Sequence, residues 1–160
     1  PGGKPFADDA KRPERAVPAK KRVIIFSPHP DDDVISMGGT FDRLLRQGHE
    51  VHVAYQTSGN IAVSDEEALK FAEVSKEINS DSKKVSKIID FLKNKKRNDA
   101  IDSFEVRQLK GAIRKRESLA ATRYLGLSDK NVHFLNLPFY ETGTIKKGNL
   151  SNKDIHLMTQ

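Results

Sequence analysis

Val23-Ile24-Ile25-Phe26-Ser27-Pro28-His29-Pro30-Asp31-Asp32-Asp33 passes from an unbroken β-branched and aromatic run into a turn dense with proline and carboxylate. The first four residues read as a buried strand, since a covered strand carries a continuous apolar run. Ser-Pro and then Pro30 end it at a loop. Downstream, Ile35, Met37, Phe41, Leu44 and Leu45 recur at helical spacing between Val34 and Gln47, and Gly48 stands where a helix is expected to stop. Val51 to Tyr55 then alternates and reads as a second strand. Strand, helix and strand within about thirty-five residues make a βαβ unit, which implies an α/β class with a parallel sheet and a right-handed crossover.

The rest of the chain extends this pattern. Thr57-Ser58-Gly59-Asn60 is a turn after the second strand. Ser64 with Glu67 has the spacing of a capping box. Residues 65–78, 82–96 and 102–125 each carry apolar positions three and four apart and are expected to be helices. Residues 132–135 read as a third strand, 138–150 as a loop, and Asn152 onward as the start of a helix. Residues 1–20 hold four Pro, two Gly and many charges without a period, and are expected to be a linker or arm ahead of a domain over 21–160.

Composition narrows the chemistry. The chain has 160 residues, 36% of them apolar, and no cysteine. Disulfides and thiolate metal sites are therefore excluded, and a metal would have to take His and carboxylate ligands. No apolar run approaches the ~20 residues of a membrane span, and no stretch resembles a signal peptide. A soluble, cytoplasmic protein with no membrane partner is the expectation. The net charge is +6, and residues 83–116 alone carry twelve Lys/Arg against four Asp/Glu. That basic stretch reads as a solvated helix face more readily than as a nucleic-acid surface. It is also a candidate surface for a homo-oligomer.

The turn carries the functional signal. Ligands in open α/β sheets bind beyond the carboxyl ends of strands, where His29, Asp31 and Asp32 lie. Hydrolysis at zinc needs about three protein ligands and a base for the attacking water. Pro28 and Pro30 fix φ on both sides of His29 and stiffen the turn. Three consecutive carboxylates repel unless a cation or hydrogen bonds compensate. The competing reading is a helix-capping turn, with one Asp at the helix start and the others solvated.

Pro28-His29-Pro30-Asp31-Asp32-Asp33 followed by Met37-Gly38-Gly39-Thr40 strongly resembles the LmbE-like family of N-deacetylases, which includes the N-acetylglucosaminyl-phosphatidylinositol (PIG-L) de-N-acetylases. Arg114, Glu117 and Leu125-Gly126-Leu127 resemble the family's Arg-x-x-Glu helix ending in Leu-Gly. The resemblance implies a Rossmann-like three-layer fold with a mainly parallel sheet, and hydrolysis of the acetamide of an N-acetylglucosamine-type sugar or conjugate. By position it makes His29 and Asp32 ligands of Zn2+, Asp31 the general base, and Arg114 a substrate contact. Ser58, Gly59 and Asn60 are expected to line the same site.

Two positions depart from the family. Asp33 stands where a Glu is usual, and no His-Gly or His-x-x-His element supplies a third ligand. His49, His52, His133 and His156 sit in strand or helix contexts and read as structural. The expectation is a domain incomplete at its C-terminus. The wording of Ser27–Thr40 and Tyr55–Val63 further resembles a branch fused to a glucosamine-6-phosphate deaminase-like domain. In such a fusion this domain would be catalytic or, alternatively, accessory or degenerate.

Overall fold

The computed structural model describes residues 18–160 apart from 98, 99, 143 and 145. The proposed arm over 1–20 therefore lies almost wholly outside the described residues. β1 (Arg22–Ser27) leads through a short α1 (Asp32–Ile35) and α2 (Gly38–Arg46) to β2 (Glu50–Tyr55). α3 (Asp65–Ile78), α4 (Lys83–Asp90) and α5 (Phe104–Tyr124) follow, then β3 (Val132–Phe134) and α6 (Asn152–Thr159). The strands lie in the order β1-β2-β3, all parallel, with Val23 opposite Val51 and Val53 opposite Val132. The α/β class and parallel sheet are as the sequence implied.

Strands added in one direction with right-handed crossovers place both connections on one face of the sheet. The core sits there: Ile25, Val51, Val53 and Tyr55 pack with Phe41 of α2 and Leu127, flanked by Val132 and Phe134. The period-2 rule sends Ile24 and Phe26 to the other face. There they are half exposed, among the described residues, beside a hydrogen-bonded His52–His133 pair (3.1 Å). Among the described residues, the unbroken apolar run of β1 therefore has one covered face.

α3, α4 and α5 form a second core away from the sheet, with Ala72, Ile88 and Val106 buried together. Ser64, Ser82 and Ser103 cap the three helices by accepting the amides of Glu67, Val85 and Val106. Side-chain capping of this kind satisfies amides that a helix start leaves open. α4 loosens into a π-turn over Phe91–Lys95, which turns Lys96 inward. No described helix is long and apolar enough to cross a membrane.

The single helix expected from 34 to 47 is two pieces. Met37 leaves helical geometry (φ −134°, ψ 12°), and Gly38-Gly39 begins the second piece. Adjacent glycines are poor helix formers, and the break falls at Met37 just ahead of them, with both glycines helical in the first turn of α2. Gly48 does end α2 with φ 72°, its amide and that of His49 bonding back to Leu45 and Leu44.

Candidate active site

The turn after β1 is held from within. Ser27, 1% exposed, donates its hydroxyl to the His29 carbonyl (2.7 Å) and accepts the Asp33 amide (3.1 Å). Asp33 is also 1% exposed, and Tyr55 at the end of β2 donates its hydroxyl to Asp33 Oδ2 (2.8 Å). Burial pushes the Asp33 carboxyl above its ordinary value, against the hydrogen bonds from Tyr55, Ser27 and the backbone. The same burial, with Asp33 alongside, pushes the Tyr55 phenol up. Asp33 is thus a buried anchor joining β1 to β2, not a solvated member of a capping turn. The signal that could have found it is Tyr55, a phenol at the end of an otherwise buried strand, which needs a buried partner.

With Asp33 tied down, the other two carboxylates diverge. Asp32 Oδ2 accepts from the His29 amide (3.0 Å) and lies 3.1 Å from His29 Nδ1. The two side chains keep 36% and 49% of their surface exposed, so their donor atoms converge at an accessible place. Asp31 occupies the N-cap of α1 but makes no side-chain capping bond. Instead its Oδ2 pairs with Arg114 Nη2 at 2.8 Å. Its φ of 151° with ψ −25° is a rare conformation for a non-glycine residue, costing of order 1–3 kcal/mol. Strain of that kind persists where surrounding contacts over-determine it, and the Pro-flanked turn with Arg114 does so here.

Arg114 is the hub on the opposite wall. It donates to the Pro30 carbonyl, pairs with Asp31, and reaches Glu117 at 3.4 Å. Burial opposes its charge, but Asp31 and Glu117 outweigh it, so the guanidinium is held above its ordinary value. Arg114 Nε is buried without a hydrogen-bond partner among the described residues. The expected substrate contact is thus a side chain whose other nitrogens already serve Asp31, Pro30 and Glu117.

Ser58, Gly59 and Asn60 close against the same turn. Thr57 donates to the Pro28 carbonyl (2.8 Å), and Gly59 (φ 63°) passes beside Pro30 and Arg114. A Cβ at Gly59 would stand 2.8 Å from Pro30 Cδ and 3.4 Å from Arg114 Nε. Gly59→Ala is therefore expected to destabilise the fold by about 2 kcal/mol, from the left-handed conformation and the overlap together. Chemical denaturation checks this, and an unchanged midpoint would contradict the packing described. Asn60, 2% exposed, donates to Ser58 Oγ (2.8 Å) and to Glu141 Oε2 (3.0 Å).

Glu141 and Tyr140 belong to the segment read from sequence only as a loop. After β3 the chain continues alongside β2, the amides of Leu135 and Leu137 bonding to Tyr55 and Gln56. Leu137 is fully buried, which brings the Tyr140 ring edge-on to His29 with centroids 5.6 Å apart. Asp154 of α6 fixes this segment by accepting the Phe139 amide (3.0 Å). Nothing in the period of residues 138–150 signals this, because the contacts are set by β3 pairing. The other histidines are distant in context: His52 with His133 on the open sheet face, His49 on the Lys21 amide, and His156 exposed on α6.

Beyond the carboxyl ends of all three strands runs a cleft of about 390 Å³. Pro30 after β1, Ser58 after β2, and Phe134 with Asn136 at the end of β3 line it, and α5 forms its far wall. This is where an open parallel sheet binds ligands. Pro30 belongs both to the cleft and to the acidic turn, although the His29, Asp31 and Asp32 side chains do not line it.

For a metal, the described residues offer His29 and Asp32 as neighbouring hard donors, suited to zinc in a Cys-free chain. Among the described residues no group of three His or carboxylate side chains converges. The donor set thus fits two protein ligands of a hydrolytic site.

The chain matches, over residues 24–160, the family described as PIG-L, GlcNAc-PI de-N-acetylase. A protein of Bacteroides thetaiotaomicron described as glucosamine-6-phosphate deaminase-like is 53% identical over 99% of this chain. The chain spans 25% of that relative's length. No solved structure matches it. A match that runs from within β1 to the end of α6, acidic turn and Arg114 helix included, means that the chain belongs to the GlcNAc-PI de-N-acetylase (PIG-L) family.

Proposed function

We propose that this chain carries the base and two metal ligands of an N-deacetylase acting on an N-acetylglucosamine-type sugar or conjugate. The observation that carries the reading is the divergence of two neighbouring carboxylates. Asp32 turns to His29, and Asp31 turns away to Arg114, although both belong to one turn. A plain capping turn needs neither the strained Asp31 backbone nor the arginine.

Zinc held by His29 and Asp32 would supply Lewis-acid polarisation of the acetamide carbonyl. Asp31, oriented by Arg114, takes the proton of the attacking water and returns it to the leaving amine. Pro28 and Pro30, with Ser27 and Asp33 beneath, keep the three side chains in register before substrate arrives. Tyr140 covers one side of His29 and limits the approach of bulk water.

The test is release of acetate from N-acetylglucosamine and its conjugates, with and without chelator. Acetate release lost on chelation and restored by zinc is the expected outcome. Sustained release in chelator would overturn the zinc assignment, and His29→Ala keeping full metal content would overturn the ligand assignment.

A second reading has its own support, in the relative's description and the quarter of its length that this chain spans. In that reading the chain is one domain of a glucosamine-6-phosphate deaminase-related fusion and is accessory or degenerate. Ammonia release from glucosamine 6-phosphate by the full-length protein, with no acetate release from any N-acetyl sugar, would favour it.

A further inference from the structure

Six cleft-lining residues come from one stripe of α5: Phe104, Arg107, Gln108, Gly111, Ala112 and Lys115. Their spacing of three, four, seven, eight and eleven defines a single helix face. The core of α5 uses a different face, through Val106, Ile113 and Leu119. The cleft face is thus free of the packing that the fold requires, and its composition needs another account.

Two cations lie on this face without an anionic partner among the described residues. Arg107 donates Nη1 to the Glu141 carbonyl (2.8 Å), and its Nε is buried with no hydrogen-bond partner among the described residues. Lys115 sits over the Phe134 ring, its Nζ 4.7 Å from the centroid. Neither forms an ion pair among the described residues, whereas Lys96, Lys110 and Arg114 are each paired. The carboxylate in the cleft, Glu141, is drawn to the other wall by the Ser58 amide (3.3 Å) and Asn60 Nδ2 (3.0 Å). Asn136 adds a neutral hydrogen-bonding group, as does Gln108, whose Oε1 accepts from Lys84 Nζ (2.6 Å), and Phe104 and Phe134 add apolar faces.

We propose that this cleft is an anion subsite, in which Arg107 and Lys115 recognise a phosphomonoester carried by an amino-sugar ligand. Two cations held apart on one helix face match a dianion better than a single carboxylate. Charge-assisted bonds in a partly enclosed cleft are about twice as strong as neutral ones. Aromatic faces with amide side chains suit the mixed apolar and hydroxylated surface of a sugar ring. Gly111 lets the wall close: a Cβ there would stand 3.3 Å from Ser58 Cβ. The proposal rests on the deacetylase reading for the sugar itself, while the anion selectivity can be read without turnover.

Calorimetric titration of the Asp31→Asn protein with N-acetylglucosamine 6-phosphate and with N-acetylglucosamine tests it. The phosphorylated sugar is expected to bind at least ~10-fold more tightly at low salt, with the preference shrinking as salt rises. Lys115→Gln, an exposed change that leaves the core alone, is expected to cut that preference several-fold, and Lys115→Glu to remove it. Arg107→Gln should act in the same direction, with unfolding midpoints recorded for each variant. Equal affinity for the two sugars, or a preference that survives Lys115→Glu, overturns the proposal. Selective binding together with no acetate release by the unsubstituted protein would instead overturn the deacetylase reading and leave the subsite standing.

Discussion

Asp31→Asn is expected to lower the deacetylation rate by about 100- to 10,000-fold, the span typical for losing a general base, while metal content and fold are retained. The amide keeps the shape of the carboxylate and still offers an oxygen to Arg114 Nη2, now 2.8 Å from Asp31 Oδ2. It cannot take a proton from water. The loss should therefore appear in kcat, with the zinc stoichiometry of the unsubstituted protein, because His29 and Asp32 are untouched. His29→Ala should behave differently and lose metal and rate together. Arg114 is a positioning residue in this scheme, acting through Asp31. Arg114→Lys, which keeps one donor but loses the fork that spans Asp31 and the Pro30 carbonyl, should keep its metal and lose less rate than Asp31→Asn. An Asp31→Asn protein with undiminished acetate release would remove the base assignment. A protein that unfolds would show instead that the Asp31–Arg114 pair is structural.

The turn could be read because its chemistry is local. Pro28, His29, Pro30 and the aspartates are adjacent in sequence, and a strand end followed by a helix start fixes where they point. The helices beyond Ser64 were equally legible: α3 covers residues 65–78 as its apolar period implied, and α5 falls within 102–125. What escaped depended on contacts between distant segments. Asp33 stands in the sequence only as an acid where the family has Glu, and it is the pairing of β1 with β2 that places Tyr55 over it. Tyr140 and Glu141 lie in a segment without period, and they reach His29 and Asn60 because Leu135 and Leu137 bond to β2. Charge counting reads the basic stretch as a solvated helix face ahead of a nucleic-acid or oligomer surface. The structure divides it: Lys110 is 4% exposed in an ion network, Lys115 faces the cleft, and residues such as Lys83 and Lys84 are exposed. A charge count over a window cannot distinguish these, because helix phase, not net charge, decides which face each side chain joins.

That ion network carries the second large effect. Lys110→Ala is expected to destabilise the protein by about 3 kcal/mol, near the lower end for breaking a buried ion pair. Lys110 Nζ contacts Asp65 Oδ1 (2.6 Å) and Asp102 Oδ2 (2.8 Å), with side-chain exposures of 5% for Lys110 and 14% for Asp102. Lys96, delivered by the π-turn, contacts the same two carboxylates at 2.7 and 2.6 Å. The network thus ties the start of α3 to the lead-in and first half of α5. Removing Lys110 leaves two carboxylates to one cation, and Asp102 has little access to water. Lys96 remains in place, which argues for the lower end of the range. The pH window follows from the directions of the shifts. Burial opposes the Asp65 charge, but Lys110 and Lys96 outweigh it and hold its carboxyl below the ordinary value. Its contribution is therefore present above the unfolded carboxyl pKa of about 4 and is lost as pH falls further. Lys96, also opposed by burial, is held above its ordinary value by Asp102 and Asp65. Its share is present below the unfolded value of about 10.4 and is lost as pH rises through the higher folded value. Urea midpoints should show the Lys110→Ala deficit across that window and a smaller deficit at acid pH. Lys110→Met combined with Asp102→Leu removes the cation and the most buried anion together, leaving Lys96 to Asp65. It should recover most of the loss, since an apolar pair of similar volume avoids the desolvation cost. A double variant as unstable as the single one would mean that the charged network itself is net stabilising, its ion pairs outweighing the desolvation cost.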